Sequence, residues 1–168
     1  MRLPLELLIE KYQKNLFAAA LNICANYDDA QDAVQETLIQ YHLYDKEFQD
    51  EEHLKAWLLR VAINKAKDLS RSLFRRRCVP LEALREDIPF EDPADGRLFE
   101  DVMRLPEKYR IVIHLFYYED LPVKEIAALL HIGESSVKMR LSRGRDLLKI
   151  MLTEESDNDR AGTVQAHI

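Results

Sequence analysis

The stretch Leu121-Pro-Val-Lys-Glu-Ile-Ala-Ala-Leu-Leu-His-Ile-Gly-Glu-Ser-Ser-Val-Lys-Met-Arg-Leu-Ser-Arg-Gly-Arg-Asp-Leu-Leu148 decides the architecture. Pro122 suits a helix start, because the first-turn N–H that it lacks has no intrahelical partner. The helix it opens runs to Leu130. His131-Ile132-Gly133 then reads as a short turn, with Gly133 expected to take the left-handed conformation. A second helix is expected to begin after Ser135 or Ser136 as cap and to end near Leu152. Ala127 is small where the two helices must approach. Val137, Leu141 and Leu148 face inward, which leaves Lys138, Met139, Ser142, Arg143 and Arg145 on the outer face, with Ser136 and Arg140 beside them. Two short helices, a glycine turn and a basic outer face form a helix-turn-helix pattern. Cations and hydroxyls near the start of its second helix suit base edges and phosphates of duplex DNA.

Working outward, only four glycines and six prolines occur in 168 residues, and Pro80, Pro89, Pro93 and Pro106 fall close together. The Pro- and acid-rich stretch around Val79–Gly96 lacks a sustained period and reads as a linker. On both sides of it the apolar spacing is helical. Leu5, Leu8, Ile9, Tyr12, Leu16, Ala19, Ala20 and Ile23 form one stripe. Asp28 or Asp29 offers an N-cap for a second helix whose inner face is Ala30, Ala33, Val34, Thr37, Leu38 and Tyr41. A loop is expected from Asp45 to His53. A third helix follows from about Leu54, with Trp57, Leu58, Val61, Ala62, Ala66 and Leu69 inward. Beyond the linker, helices are expected over 96–105 and 107–118, broken at Pro106. The tail 153–168 is polar and expected to be disordered. The apolar runs are far too short to cross a bilayer, and the opening residues lack the pattern of a secretory signal. Cys24 and Cys78 stand far apart, which suits two thiols in a reducing compartment better than a disulfide or zinc site.

Net charge is −6, yet the signs are sorted along the chain. From Tyr27 to Glu52 nine acids face one base, and from Leu54 to Cys78 eight bases face one acid. Acids lead again from Pro80 to Asp101, and bases from Ser136 to Lys149. Such blocks imply separate surfaces for a cationic and an anionic partner. In the acidic block, inward Ala30, Ala33 and Val34 leave Asp29, Asp32, Gln35 and Glu36 on the outer side of a helix. Asp32 and Glu36, four apart, repel one another, and a basic partner would remove that penalty. In the basic block, Lys55, Arg60, Asn64, Lys67 and Arg71 project away from the Trp57/Val61/Leu69 core, and Arg75, Arg76 and Arg77 follow. Cations beside a half-exposed aromatic suit single-stranded DNA, although a single Trp at helical spacing is more often core.

The motifs Asp-Ala-x-Asp-x-Val-Gln-Glu (29–36), Trp57-Leu-x-Arg60-x-Ala62-x-Asn64-x-x-x-Asp68-x-x-Arg71, Leu105-Pro-Glu-Lys-Tyr-Arg110, Glu125-Ile-Ala and Val137-Lys-x-Arg140-Leu-x-Arg143-x-Arg145 follow in order. Together they resemble the extracytoplasmic-function (ECF) sigma factors of the sigma-70 family, over about residues 5–77 and 98–150. The resemblance implies an all-α protein of two small helical domains joined by a flexible linker. Residues 1–77 would form sigma region 2, 78–96 the linker, and 97–152 sigma region 4, ahead of the tail. It further implies a cytoplasmic, non-enzymatic factor without metal or cofactor that directs promoter-specific transcription initiation. Its implied partners are core RNA polymerase, through the beta-prime clamp helices and the beta flap, promoter DNA, and an anti-sigma factor. By position, Asp29, Asp32, Gln35 and Glu36 would bind polymerase. The loop around Phe48–Leu54 with Lys55, Trp57, Arg60, Asn64, Lys67 and Arg71 would capture and melt the minus-ten element, turning a base out of the stack. Ser136, Lys138, Met139, Arg140, Ser142, Arg143 and Arg145 would read the minus-thirty-five element. Gly144 stands where alanine is usual, at a cost in helix propensity of up to about 1 kcal/mol.

The alternative is a stand-alone helix-turn-helix regulator with an N-terminal sensing domain, which has no need of the Asp29–Glu36 face followed by the Trp57 helix. No phosphate-binding glycine loop, metal cluster or nucleophile–base pair supports an enzyme.

Overall fold

The structure is a computed structural model that describes residues 1–72 and 93–165, with the side chains of Ser72, 93–96 and 160–165 left out of the description. Among the described residues all regular structure is helical. The N-terminal half comprises α1 (Leu5–Cys24), α2 (Tyr27–Leu43) and α3 (Glu51–Ser72). The C-terminal half comprises α4 (Pro93–Met103), α5 (Glu107–Ile113), a π-helical turn (His114–Tyr118), α6 (Val123–Leu130) and α7 (Glu134–Gln165).

The three N-terminal helices pack mutually, each against the other two. The α1 stripe of Leu8, Tyr12, Leu16, Ala19, Ala20 and Ile23 is buried as the spacing requires. Ala30, Ala33, Ala62 and Ala66, all fully buried, let the backbones of α2 and α3 approach. α1 stops where Ala25 turns left-handed at φ 46 and returns its N–H to Leu21 O at 2.9 Å. The cap of α2 is not Asp28 or Asp29 but Asn26, whose side chain accepts the Asp29 N–H at 3.1 Å. The helix thus starts earlier than expected and draws both aspartates into its first turn.

The expected loop over Asp45–His53 is shorter, because α3 begins at Glu51. Asp50 accepts the His53 N–H at 2.7 Å, while His53 Nδ1 accepts the Gln49 N–H at 3.3 Å. The arrangement resembles a capping box shifted by one residue, because His53 reaches back to the N–H of Gln49 rather than to that of the capping Asp50.

In the C-terminal half, α6 and α7 form the expected helix-turn-helix with two local corrections. His131, not Gly133, takes the left-handed conformation (φ 56), and no glycine has positive φ among the described residues. α7 begins at Glu134, ahead of Ser135 and Ser136, with Gly133 O accepting the Val137 N–H at 3.1 Å. α7 also continues to Gln165 through the stretch expected to be disordered. There Thr153 and Ser156 bond back to carbonyls four residues earlier, and Glu155 pairs with Arg104 at 2.5 Å. Gly144 is explained by packing: a Cβ added to it would lie 3.1 Å from Ile113 Cγ1 and 3.4 Å from Tyr109 Cβ. Glycine lets α5 and α7 cross closely, which offsets its helix penalty. Most of the expected linker falls outside the described residues, as do Arg75–Arg77 and Cys78, and Pro93–Gly96 belong to α4.

The two halves share one continuous apolar cluster, meeting chiefly where α1 packs on α5. Buried Arg110 spans that seam: it donates to Asn22 O at 2.5 Å and Met103 O at 3.2 Å.

Candidate nucleic-acid interface

Three surfaces carry the expected site residues. On α2, the inward set Ala30, Ala33, Val34, Thr37 and Tyr41 fixes the helix rotation and leaves Asp32, Gln35 and Glu36 exposed together. Asp29 is different. It is 3% exposed, set in the first turn at the positive end of the helix dipole beside the α1–α2 junction, and does not join that outer face. Glu36 pairs with Lys65 of α3 at 3.2 Å, so an internal cation already meets part of the acidic face.

On α3, Arg60, Asn64 and Arg71 are exposed, and Lys55, Trp57 and Lys67 are half-buried. The indole of Trp57 packs on Tyr44 at 4.9 Å and Phe48 at 5.4 Å between centroids, with Tyr41 at 6.4 Å. Phe48 itself is 2% exposed, so the loop before α3 is anchored by its aromatic residue rather than presenting it. Arg2 steadies the base of the same loop: its guanidinium donates to Tyr41 O at 3.0 Å, His42 O at 3.1 Å, and Tyr44 O, the carbonyls that end α2. Helical periodicity could not single out Arg2, because it precedes α1. Lys55 is not free: it pairs with the buried Glu119 carboxylate of the other half at 3.1 Å.

On α7, Lys138, Met139, Ser142, Arg143 and Arg145 are exposed, and Ser136 and Arg140 are half-buried. Arg145 is held in place, its Nε donating to the Tyr117 hydroxyl at 2.5 Å and its guanidinium lying 5.5 Å from that ring. Arg143 reaches the Tyr109 hydroxyl, which this contact and Lys108 bring below the ordinary tyrosine value, although burial acts the other way. Between α4, the π-helical turn and the outer part of α7 runs an open groove of about 630 Å³ lined by Leu98, Val102, Ile113, Tyr117, Leu148 and Leu152.

Two protein-family models match this chain in the order of these surfaces: Sigma-70 region 2 over residues 8–77 and Sigma-70, region 4, over residues 102–148. The chain belongs to the sigma-70 family. It is an RNA polymerase sigma factor of the ECF group. The RNA polymerase sigma factor SigV of Bacillus subtilis is 29% identical over 88% of this chain and 90% of its own length. The ECF RNA polymerase sigma factor SigW of the same organism is 27% identical over 88% of each. A solved structure of the sigma factor RpoE in complex with the anti-sigma factor NepR from Bartonella quintana shares the fold, with TM-score 0.68 and 23% identity over 88% of this chain and 96% of that one. The region 2 match contains α2 and α3 of this sigma factor, and the region 4 match ends at Leu148, so the last part of α7 extends beyond the family model.

Proposed function

We propose that this ECF sigma factor divides its work among the three surfaces as follows. Asp32, Gln35 and Glu36 on α2 dock on the beta-prime clamp helices of core polymerase, and buried Asp29 supports the helix that presents them. Lys55, Arg60, Asn64, Lys67 and Arg71 hold phosphates of the opened minus-ten strand, with the Trp57 cluster as an apolar floor against which an unstacked base lies. Lys138, Met139, Ser142 and Arg143 enter the major groove at the minus-thirty-five element, with Ser136, Arg140 and Arg145 on flanking phosphates. Residues 1–77 and 97–152 serve as the region 2 and region 4 units, and the α4–α7 groove suits the apolar face of the beta flap. The factor works in the cytoplasm, performs no chemistry of its own, and is held in check by an anti-sigma factor, as the RpoE of the solved complex is bound by NepR.

The observation that carries this reading is the sorting of opposite charges onto separate exposed faces, acids on α2 and cations on α3 and α7. The test is run-off transcription with core polymerase together with a core-binding assay. Asp32→Lys with Glu36→Lys is expected to abolish core binding while helicity and duplex binding by α7 persist. Retained core binding in that variant would overturn the assignment of α2. Arg143→Ala is expected to weaken duplex binding by about 1–3 kcal/mol at one base position only.

A further inference from the structure

The three residues ahead of α1 are tied to the loop that precedes α3. Leu3 stands before Pro4, whose ring disfavours the helical region for its neighbour, so residues 1–3 stay out of the helix. Both polar groups of the Leu3 backbone meet buried Tyr41: the N–H donates to the hydroxyl at 3.0 Å, and the carbonyl accepts from it at 2.7 Å. Arg2 donates to Tyr41 O, His42 O and Tyr44 O, and its guanidinium lies 5.1 Å from the Tyr41 ring centroid. These carbonyls close α2, where helical donors have run out and the dipole favours a cation. Met1 O accepts the Phe48 N–H at 3.0 Å, and the Met1 nitrogen donates to Phe48 O at 2.7 Å. One short segment thus holds the stretch from Tyr44 to Phe48 at both ends, while the side chains of Lys46 and Gln49 stay exposed. Packing of Phe48 on Tyr44 and Trp57, at 5.3 and 5.4 Å between centroids, already keeps the loop down. What the segment adds is a fixed backbone path, since hydrogen bonds are directional and apolar packing is not.

We propose that Met1–Leu3 form a strap in which Arg2 is a positioning residue for base selection: it sets the loop in the shape that receives an unstacked base. The inference rests on the assignment of this loop to the minus-ten element. Discrimination between bases is a difference of affinities. A loop in one shape offers one arrangement of the Lys46 and Gln49 side chains, and its ordering is complete before the strand arrives. A loop free of the strap samples several shapes, pays the ordering cost on binding, and accepts the competing bases more evenly. Arginine suits the task because its planar fork reaches several carbonyls at once, which a lysine ammonium does not.

The test uses the full-length factor assembled with core polymerase and a pool of single-stranded DNA of random sequence, with the bound fraction sequenced. The reading is the enrichment of the favoured base over the other three at the most selective position. Arg2→Ala is expected to lower that ratio about two- to tenfold, the ordering cost of one or two side chains. Core binding by this variant is expected to match that of the unaltered chain. Arg2→Lys is expected to restore only part of the ratio, and Tyr41→Phe, which frees Leu3 but keeps the ring, to lower it as well. Asn26→Ala, which loosens the opposite end of α2, is expected to leave the ratio unchanged. An equal fall in Asn26→Ala would reduce Arg2 to a general support of the helices and overturn the strap. An unchanged ratio in Arg2→Ala, while Lys46→Ala with Gln49→Ala lowers it, also overturns the strap and leaves the loop as a reader of the strand. No enrichment by the unaltered holoenzyme, or no change in the Lys46/Gln49 double variant, overturns both the strap and the assignment of the loop.

Discussion

Replacing Arg110 by Met tests how the two halves are fastened independently of any ligand. Arg110 is 8% exposed, and burial lowers its pKa, so it is a cation held against a real desolvation cost. Its return comes from carbonyls. Nε reaches Asn22 O at 2.5 Å and Nη1 reaches Met103 O at 3.2 Å, with Leu105 O and Ile23 O at 3.4 and 3.5 Å contributing less. Asn22 and Ile23 lie in the last turn of α1, where carbonyls lack intrahelical donors and the dipole favours a cation. Two well-formed charged hydrogen bonds contribute about 3–6 kcal/mol together. Methionine fills similar apolar length and removes the desolvation cost, which returns part of that, and the expected net loss is about 2–4 kcal/mol. In urea unfolding followed by far-ultraviolet circular dichroism, this lowers the midpoint by roughly 1–2 M for a chain of this size. Arg110→Lys keeps charge without the fork and is expected to recover less than half of the loss. A midpoint for Arg110→Met within about 0.3 M of the unaltered chain would refute the reasoning, because the carbonyls would then be satisfied equally well by water.

Asn26→Ala is expected to cost about 1 kcal/mol in the same assay, the ordinary value for removing a side-chain helix cap. Gly144→Val is expected to cost about 1–3 kcal/mol, since the added methyls meet buried Ile113 where a Cβ alone is already at 3.1 Å. Gly144→Ala should cost less, because the gain in helix propensity offsets part of the overlap. For Glu119, burial acts to raise its pKa, but the contacts from His114, Asn15 and Lys55 outweigh it and bring the group from the ordinary 4.5 down to about 2. A depressed folded value means stability that is full above the unfolded pKa and lost as pH falls from about 4.5 toward 2. Urea midpoints measured across that window should fall less steeply in Glu119→Gln than in the unaltered chain; equal slopes would assign the acid sensitivity to other carboxylates.

Much of the fold was legible because periodicity and burial are the same fact seen twice. Most of the α1 stripe and of the inner face of α2, and the pair Val137/Leu141 on α7, are buried at helical steps, while Leu5, Ile9 and Leu38 at the edges of those stripes are half-buried. Helix ends were less legible, because capping depends on which of several adjacent polar residues reaches back to the backbone. Asn26 wins over Asp28 and Asp29, and His131 takes the positive φ that its neighbour Gly133 was expected to take. The outer part of α7 reads as disorder by composition, but Glu155 pairs with Arg104 and residues as far as Asp157 line the α4–α7 groove, partners that composition does not reveal. Asp29 was misplaced for the same reason that Arg2, Asn15 and Glu119 were unseen. The partners that Arg2, Asn15 and Glu119 find across the fold lie 39 to 104 positions away, and the burial of Asp29 comes from the packing of its helix, so a local window contains no trace of them. Arg110 stood in a recognisable motif, yet its task on the last turn of α1 required the fold.

The three surfaces differ in how firmly they are already occupied, and on the proposed assignments that difference orders their use. The Glu36–Lys65 pair is about half-exposed on both sides, so water and salt reduce it to at most about 1 kcal/mol. A cationic prong of polymerase displaces it at little cost, and the Asp32 carboxylate and the Gln35 amide beside it stand exposed. The α7 cations are exposed as well, with Arg145 merely steadied by Tyr117. Lys55 is the exception, since its partner Glu119 is sealed from water and leaving it without the lysine would strand a buried carboxylate. Polymerase binding through α2 therefore needs no rearrangement, whereas use of the complete minus-ten surface does. On those assignments the enzyme is engaged first and single-stranded DNA second, because the acidic face of α2 stands exposed whereas Lys55 already holds a buried carboxylate.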